Sequence, residues 1–124
     1  MGKRILVVDD DVMNLKMAEF ILEKKQYEVL KAESGMECLN CLKTEKVDLV
    51  LLDLEMPVLN GLKTLERIRE DREISDVPVI FLSAASDPVH EVEAGRLGAL
   101  DFINKPFKPM DFLERVGKVL ENKR

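Results

Sequence analysis

Val47-Asp48-Leu49-Val50-Leu51-Leu52-Asp53-Leu54-Glu55-Met56-Pro57 is a dense apolar run that closes on a carboxylate, with a proline shortly after it. Its apolar residues are consecutive rather than alternating. That is the pattern of a short strand buried on both faces, as in a parallel sheet. The reading is a strand over about Asp48 to Leu52, with Asp53 at its carboxyl end, where open α/β sheets bind ligands. Asp48 stands at the polar entrance of the strand, away from that end, and is set aside as a candidate.

Working upstream, Arg4-Ile5-Leu6-Val7-Val8 is a second β-branched apolar run that stops at Asp9-Asp10-Asp11. Val12, Leu15, Ala18, Ile21 and Leu22 then recur at helical spacing, predicting a helix from about Val12 to Lys25 with Asp11 as a candidate N-cap. Tyr27 to Ala32 reads as a strand. Ser34-Gly35-Met36-Glu37 has capping-box spacing and opens a helix carrying Met36, Leu39 and Leu42.

Downstream, Pro57 to Gly61 reads as a loop with Asn60-Gly61 as its turn signal. Leu62, Leu65 and Ile68 mark a third helix, and Val77 to Ser83 a fourth strand that tolerates Pro78 near its start. Asp87 with Pro88 is a helix start, and Gly98 a helix C-terminal cap. Ala99 to Asn104 is a fifth strand. Pro109 begins a last helix with Phe112, Leu113, Val116 and Leu120 on its inner face. Strict alternation of five strands and five helices, without a repeat or linker, predicts one domain over residues 1–124. It is an α/β domain with a parallel sheet, helices on both faces and right-handed crossovers.

Composition narrows the function. With 124 residues, 46% apolar and 35% charged, the chain is long enough for a real core and is an ordinary globular composition. A net charge of -5 argues against direct nucleic-acid binding. No apolar segment is long enough to span a bilayer, and Met1-Gly2-Lys3-Arg4 runs straight into a strand, so the expected place is the cytoplasm. Cys38 and Cys41 form a CxxC, but inside a predicted helix and without a second ligand pair. They read as two small apolar residues. His90, the one histidine, falls on the polar side of the fourth helix and reads as a surface residue.

What remains is chemistry at the strand ends. The first strand ends on Asp9 and Asp10, the third on Asp53, the fourth on Ser83, and the fifth is followed by Asn104-Lys105-Pro106. Clustered carboxylates repel one another unless a cation joins them. Hard oxygen donors of this kind suit Mg²⁺, which keeps several waters and favours one or two carboxylates plus phosphate oxygens. Lys105 adds a second positive charge and Ser83 a hydrogen bond. A carboxylate so placed is a competent nucleophile for phosphoryl transfer, giving an aspartyl phosphate.

These residues carry a resemblance. Val7-Val8-Asp9-Asp10, Leu52 to Pro57, Asn60-Gly61, Phe81-Leu82-Ser83-Ala84, Gly95 with Gly98-Ala99, and Asp101 to Phe107 together resemble the receiver domain of bacterial two-component response regulators, over nearly the whole chain. The resemblance implies a flavodoxin-like sheet in the order 2-1-3-4-5 and a phosphoryl group taken by Asp53. The donor would be a sensor histidine kinase or histidine phosphotransfer protein. It implies Mg²⁺, with Mn²⁺ as an alternative, on Asp10, Asp53 and the backbone carbonyl of Glu55, with Asp9 assisting. It implies Lys105 and Ser83 on the phosphoryl oxygens, Phe102 as a switch aromatic that turns inward, and a cis Lys105-Pro106 bond. Glu55 and Ala85 occupy the positions that tune dephosphorylation in the family. The surface of the fourth helix, fifth strand and fifth helix would control an output domain or target protein, or a phosphorylation-dependent dimer.

Two rivals are weighed beside this. A haloacid-dehalogenase-like Mg²⁺-dependent phosphatase also uses an aspartate after a strand, but wants a second aspartate where Glu55 stands. A flavodoxin-like binding module wants a hydroxyl- and glycine-rich phosphate loop after the first strand. Asp9-Asp10-Asp11 would repel a phosphate there.

Overall fold

The five expected strands form one parallel sheet in the order β2-β1-β3-β4-β5. The structure, a computed structural model, describes residues 2–84 and 91–121. The strands are β1 (Arg4–Val8), β2 (Glu28–Ala32), β3 (Leu49–Asp53), β4 (Val79–Ala84) and β5 (Asp101–Lys105). The helices are α1 (Val12–Glu23), α2 (Gly35–Thr44), α3 (Gly61–Glu70), α4 (Glu91–Arg96) and α5 (Pro109–Glu121). Ala85, Asp87, Pro88 and His90 lie outside the described residues.

Consecutive strand residues serve opposite faces, so each central run feeds two cores. Ile5, Val7, Leu49, Leu51, Ile80 and Leu82 pack with Leu15, Ala18, Ile21, Phe112 and Val116 of α1 and α5. Leu6, Val8, Val50, Leu52 and Phe81 pack with Cys38, Leu42, Leu65, Ile68 and Ala94 on the other side. Each fully buried aliphatic side chain contributes about 2 kcal/mol, so β1, β3 and β4 form a stiff frame. All five residues of β3 are buried.

The strand bounds differ from expectation in a consistent way. β3 and β5 reach one residue further, so Asp53 and Lys105 are themselves the last residues of their strands. Ala99 is taken by the end of α4 instead of β5, and Val77 and Pro78 precede β4. Pro78 lends its carbonyl to Val50 N–H at 2.9 Å, the role left to a residue without a donor. Helix α1 stops at Glu23, and Gln26 reverses the chain with φ 63°.

The caps are read from short polar side chains. Asp11 Oδ1 accepts Met13 N–H at 2.9 Å, and Ser34 Oγ accepts Glu37 N–H at 3.1 Å. The Glu37 carboxylate takes the amide of Glu33, one residue before the cap. Asn60-Gly61 is a correction. Asn60 is the N-cap of α3, accepting Lys63 N–H at 2.9 Å, and Gly61 is the first helical residue. Gly61 serves close approach and not a turn. A Cβ there would sit inside contact distance of the Asp53 carbonyl oxygen, 2.8 Å from Leu54 Cα and 3.0 Å from the Phe81 ring. Just before it, Leu59 N–H donates to Pro57 O at 2.8 Å around Val58, whose φ is 67°: a γ-turn centred on a β-branched residue.

Candidate functional site

Register brings the strand-end residues together. Val8 pairs with Leu52, so Asp9 lies beside Asp53. Asp53 pairs with Leu82, and Ala84 with Lys105, so Ser83 and Lys105 close the same rim. Asp9 and Asp53 are 0% and 1% exposed, whereas Asp10 is open to solvent. One carboxylate oxygen from each of the three lies within 4.8 Å of the others.

Lys105 spans the two buried carboxylates. Its Nζ is 2.9 Å from Asp53 Oδ1 and 3.4 Å from Asp9 Oδ2. Asp9 is further fixed by Asp11 N–H on Oδ1 at 2.9 Å and by Asn14 Nδ2 on Oδ2 at 3.2 Å. The Glu55 amide lies 3.4 Å from Asp53 Oδ1. Glu55 is exposed between the buried Leu54 and Met56.

One ammonium against two buried carboxylates sets the electrostatics. Burial, the largest influence, pushes the Asp53 carboxyl up to about 7; Asp9 adds to this, and the Lys105 hydrogen bond opposes it. Burial works against the charge on Lys105. Its hydrogen bond and charge interactions with Asp53 and Asp9 outweigh that and hold it above the usual lysine range. The donor set is three hard oxygens with surplus negative charge, which fits Mg²⁺ or Mn²⁺ and no soft metal. A cation there would hold Asp53 in the ionised form that a proton otherwise competes for.

The Ser83 hydroxyl reaches 3.5 Å toward Asn104 Oδ1, the outer limit of a hydrogen bond, and so is weakly held. Phe102 is half-buried, its ring 5.7 Å from that of the fully buried Phe81 and tilted 33° to it. The Lys105–Pro106 bond is cis, as expected. Asp48 sits at the other end of the sheet, accepting Arg4 N–H at 2.8 Å. Cys38 is buried with its thiol pushed up to about 12 by burial and then by Cys41. Cys41 is raised by burial too, so neither is a thiolate. Sequence reading missed Asn14 and the role of Gly61. The first falls on the inner edge of α1 one turn after Asp9 and carries no signal of its own.

Comparison with known proteins identifies the company this rim keeps. Residues 5–117 match the family model described as the response regulator receiver domain. The alkaline phosphatase synthesis transcriptional regulatory protein PhoP of Bacillus subtilis is 35% identical over 97% of this chain. The chain spans about half the length of that relative (49%) and of several like it. Protein PilH of Pseudomonas aeruginosa is 36% identical, over 94% of this chain and 97% of its own. Among solved structures, Vibrio cholerae chemotaxis protein CheY4 superposes with a TM-score of 0.89 at 28% identity, covering 97% of this chain and all of that one (100%).

Proposed function

This chain belongs to the response regulator receiver family, and from that premise we propose that Asp53 is the carboxylate that takes the phosphoryl group. The domain is the phosphoacceptor receiver of a two-component signalling system. The phosphatase alternative finds no support among the similar proteins, which are regulators. The observation that carries the assignment is the burial of Asp53 at the end of β3, bonded to Lys105 at 2.9 Å and flanked by Asp9 and Asp10.

An Asp53 oxygen attacks phosphorus as the nitrogen–phosphorus bond of a phosphohistidine breaks. The leaving imidazole nitrogen keeps the electron pair and takes a proton from solvent. Lys105 transfers its hydrogen bond from the carboxylate to the new phosphoryl oxygens. Asp9, Asp10, Asp53 and the Glu55 carbonyl would hold Mg²⁺ or Mn²⁺, which when bound offsets charge on the incoming phosphoryl group. The same residues then position a water whose oxygen attacks phosphorus; the bond from the Asp53 oxygen to phosphorus breaks, the carboxylate is restored and inorganic phosphate leaves, so the domain catalyses its own phosphorylation and dephosphorylation. Ser83, weakly held at 3.5 Å from Asn104, turns to the phosphoryl group, and Phe102 fills space toward the interior.

Receiver domains of this family work with histidine kinases and output domains. For the donor here we read a helix of a histidine kinase or phosphotransfer protein laid along α1. Met13, Met17 and Phe20 are 67%, 51% and 63% exposed at helical spacing, on the helix that starts beside Asp9 and Asp10. The output is a linked domain, a target protein or a dimer through α4, β5 and α5. No helix among the described residues is long and apolar enough to cross a membrane, which fits work in the cytoplasm, and nucleic acid is left to other parts of the system. The test is incubation with acetyl phosphate and Mg²⁺, then with a phosphorylated histidine donor, read by intact mass. One phosphoryl group should appear in the unaltered chain and none in Asp53→Asn. Equal labelling of the variant would refute the assignment.

A further inference from the structure

We propose that Arg69 is a positioning residue that clasps the base of the β4–α4 unit, so that the α4–β5 face moves as a lever hinged at the carboxyl end of α4. The inference rests on the phosphoacceptor reading for what drives the lever, and on geometry alone for where the hinge lies.

Arg69 is the penultimate residue of α3 and half-buried. Its guanidinium meets the chain twice. On the way into β4, Nη1 donates to Ser75 O at 2.8 Å and to Val77 O at 2.7 Å. On the way out of α4, Nε donates to Leu97 O at 2.7 Å, and Nη2 lies 3.4 Å from Gly98 O. All four acceptors are backbone carbonyls. Such groups at a helix end and a strand entrance otherwise lack partners, and only a planar fork can reach both sets. The end of α4 is closed independently by Ala99 N–H on Ala94 O at 2.9 Å and Gly98 N–H on Gly95 O at 3.0 Å, with Gly98 at φ 85°. This is a Schellman cap, and Arg69 holds the Leu97 and Gly98 carbonyls within it. Leu100 N–H then ties to Val79 O at 2.9 Å, at the first residue of β4.

β4 and α4, the described parts between the two meetings, are thereby each fixed at the base. That stretch carries Ser83 at the phosphoryl rim, and Phe102 follows it on β5. Fixing the base confines any rearrangement to the rim end. The other end of α3 carries Gly61, packed on the Asp53 carbonyl, so α3 is a strut from the phosphoacceptor to the hinge.

The experiment is amide NMR and hydrogen exchange on the full chain. With beryllofluoride and Mg²⁺, an acyl-phosphate mimic, the resonances of Ser83 and Phe102 should move and those of Leu97, Gly98 and Ala99 should stay. In ligand-free Arg69→Gln, exchange at Gly98 and Ala99 should quicken about tenfold. Under beryllofluoride, Ser83 in that variant should still respond, and the Phe102 response should fall below about half. Arg69→Lys should fall between, because one ammonium cannot span carbonyls on two segments. Leu97 to Ala99 moving as far as Phe102 in the unaltered chain would overturn the hinge, and that arm does not depend on any variant folding. A normal Phe102 response in Arg69→Gln would overturn the clasp. No response anywhere would refute the phosphoacceptor reading and the lever with it, and the ligand-free exchange would still decide the anchor.

Discussion

Replacing Asp53 with asparagine should stabilise the protein, and by more as pH rises. Asp9 and Asp53 are both buried and share the ammonium of Lys105 at 3.4 and 2.9 Å. In the unfolded chain the Asp53 carboxyl titrates near 3.8; in the fold it is pushed up to about 7, by burial first and Asp9 next. Between those values the native state keeps a proton that the unfolded chain has lost. The contribution to stability is therefore full below pH 3.8 and lost as pH rises through about 7. That window is about three pH units, and at ~1.4 kcal/mol per unit the whole loss is about 4 kcal/mol. Asparagine does not titrate and leaves Lys105 paired with Asp9 alone. The variant's advantage should open across the window, to about 2–4 kcal/mol near pH 8. Urea unfolding of both proteins with a chelator present, followed by circular dichroism from about pH 5 to about pH 8, reads this difference and cancels the other titrating groups. Adding Mg²⁺ at about ten times its dissociation constant should return ~1.4 kcal/mol to the unaltered protein only. A gap that is constant with pH, or that closes as pH rises, would refute the reasoning.

Mg²⁺ should bind more tightly as pH rises toward 7, close to tenfold per unit, and release a proton as it binds; calorimetry in two buffers of different ionisation heat would show it, and pH-independent binding would count against Asp53 as a ligand. Val58→Gly should stabilise by about 1 kcal/mol, because Val58 is fully exposed and spends strain on a positive φ that glycine adopts freely. Gly61→Ala should destabilise by about 1–3 kcal/mol and slow phosphorylation from acetyl phosphate, since its Cβ meets only backbone and the Phe81 ring. Met17→Glu with Phe20→Glu should slow transfer from a histidine donor while leaving acetyl phosphate phosphorylation within about twofold; an equal effect on both would remove α1 as the docking helix.

The sheet was legible because parallel strands buried on both faces write themselves as unbroken apolar runs, as in Leu49 to Leu52. The rim was legible because its residues sit at the ends of those runs. The carboxyl ends of β3 and β5 slipped for one reason: Asp53 and Lys105 are polar yet keep their places in the ladder, which hydrophobicity cannot register. Asn60-Gly61 misled because asparagine caps helices and makes turns with the same oxygen, and a glycine needed for close approach looks like one needed for a turn. Arg69 left no local sign. Its partners lie up to 29 positions away, and a charged residue on the flank of an amphipathic helix reads as solvated. Asn14 is of the same kind, a side chain whose meaning is supplied by the strand it faces.

Glu55 has a consequence of its own. It projects from a stretch anchored on either side by Leu54 and Met56, so its side chain bears no part of the fold's weight while its amide stays against the reactive carboxylate. A substitution at this position can therefore change the charge and bulk beside Asp53 without gambling the structure. The frame leaves one side chain at the mouth of its acidic rim open to revision while the backbone that carries it stays fixed.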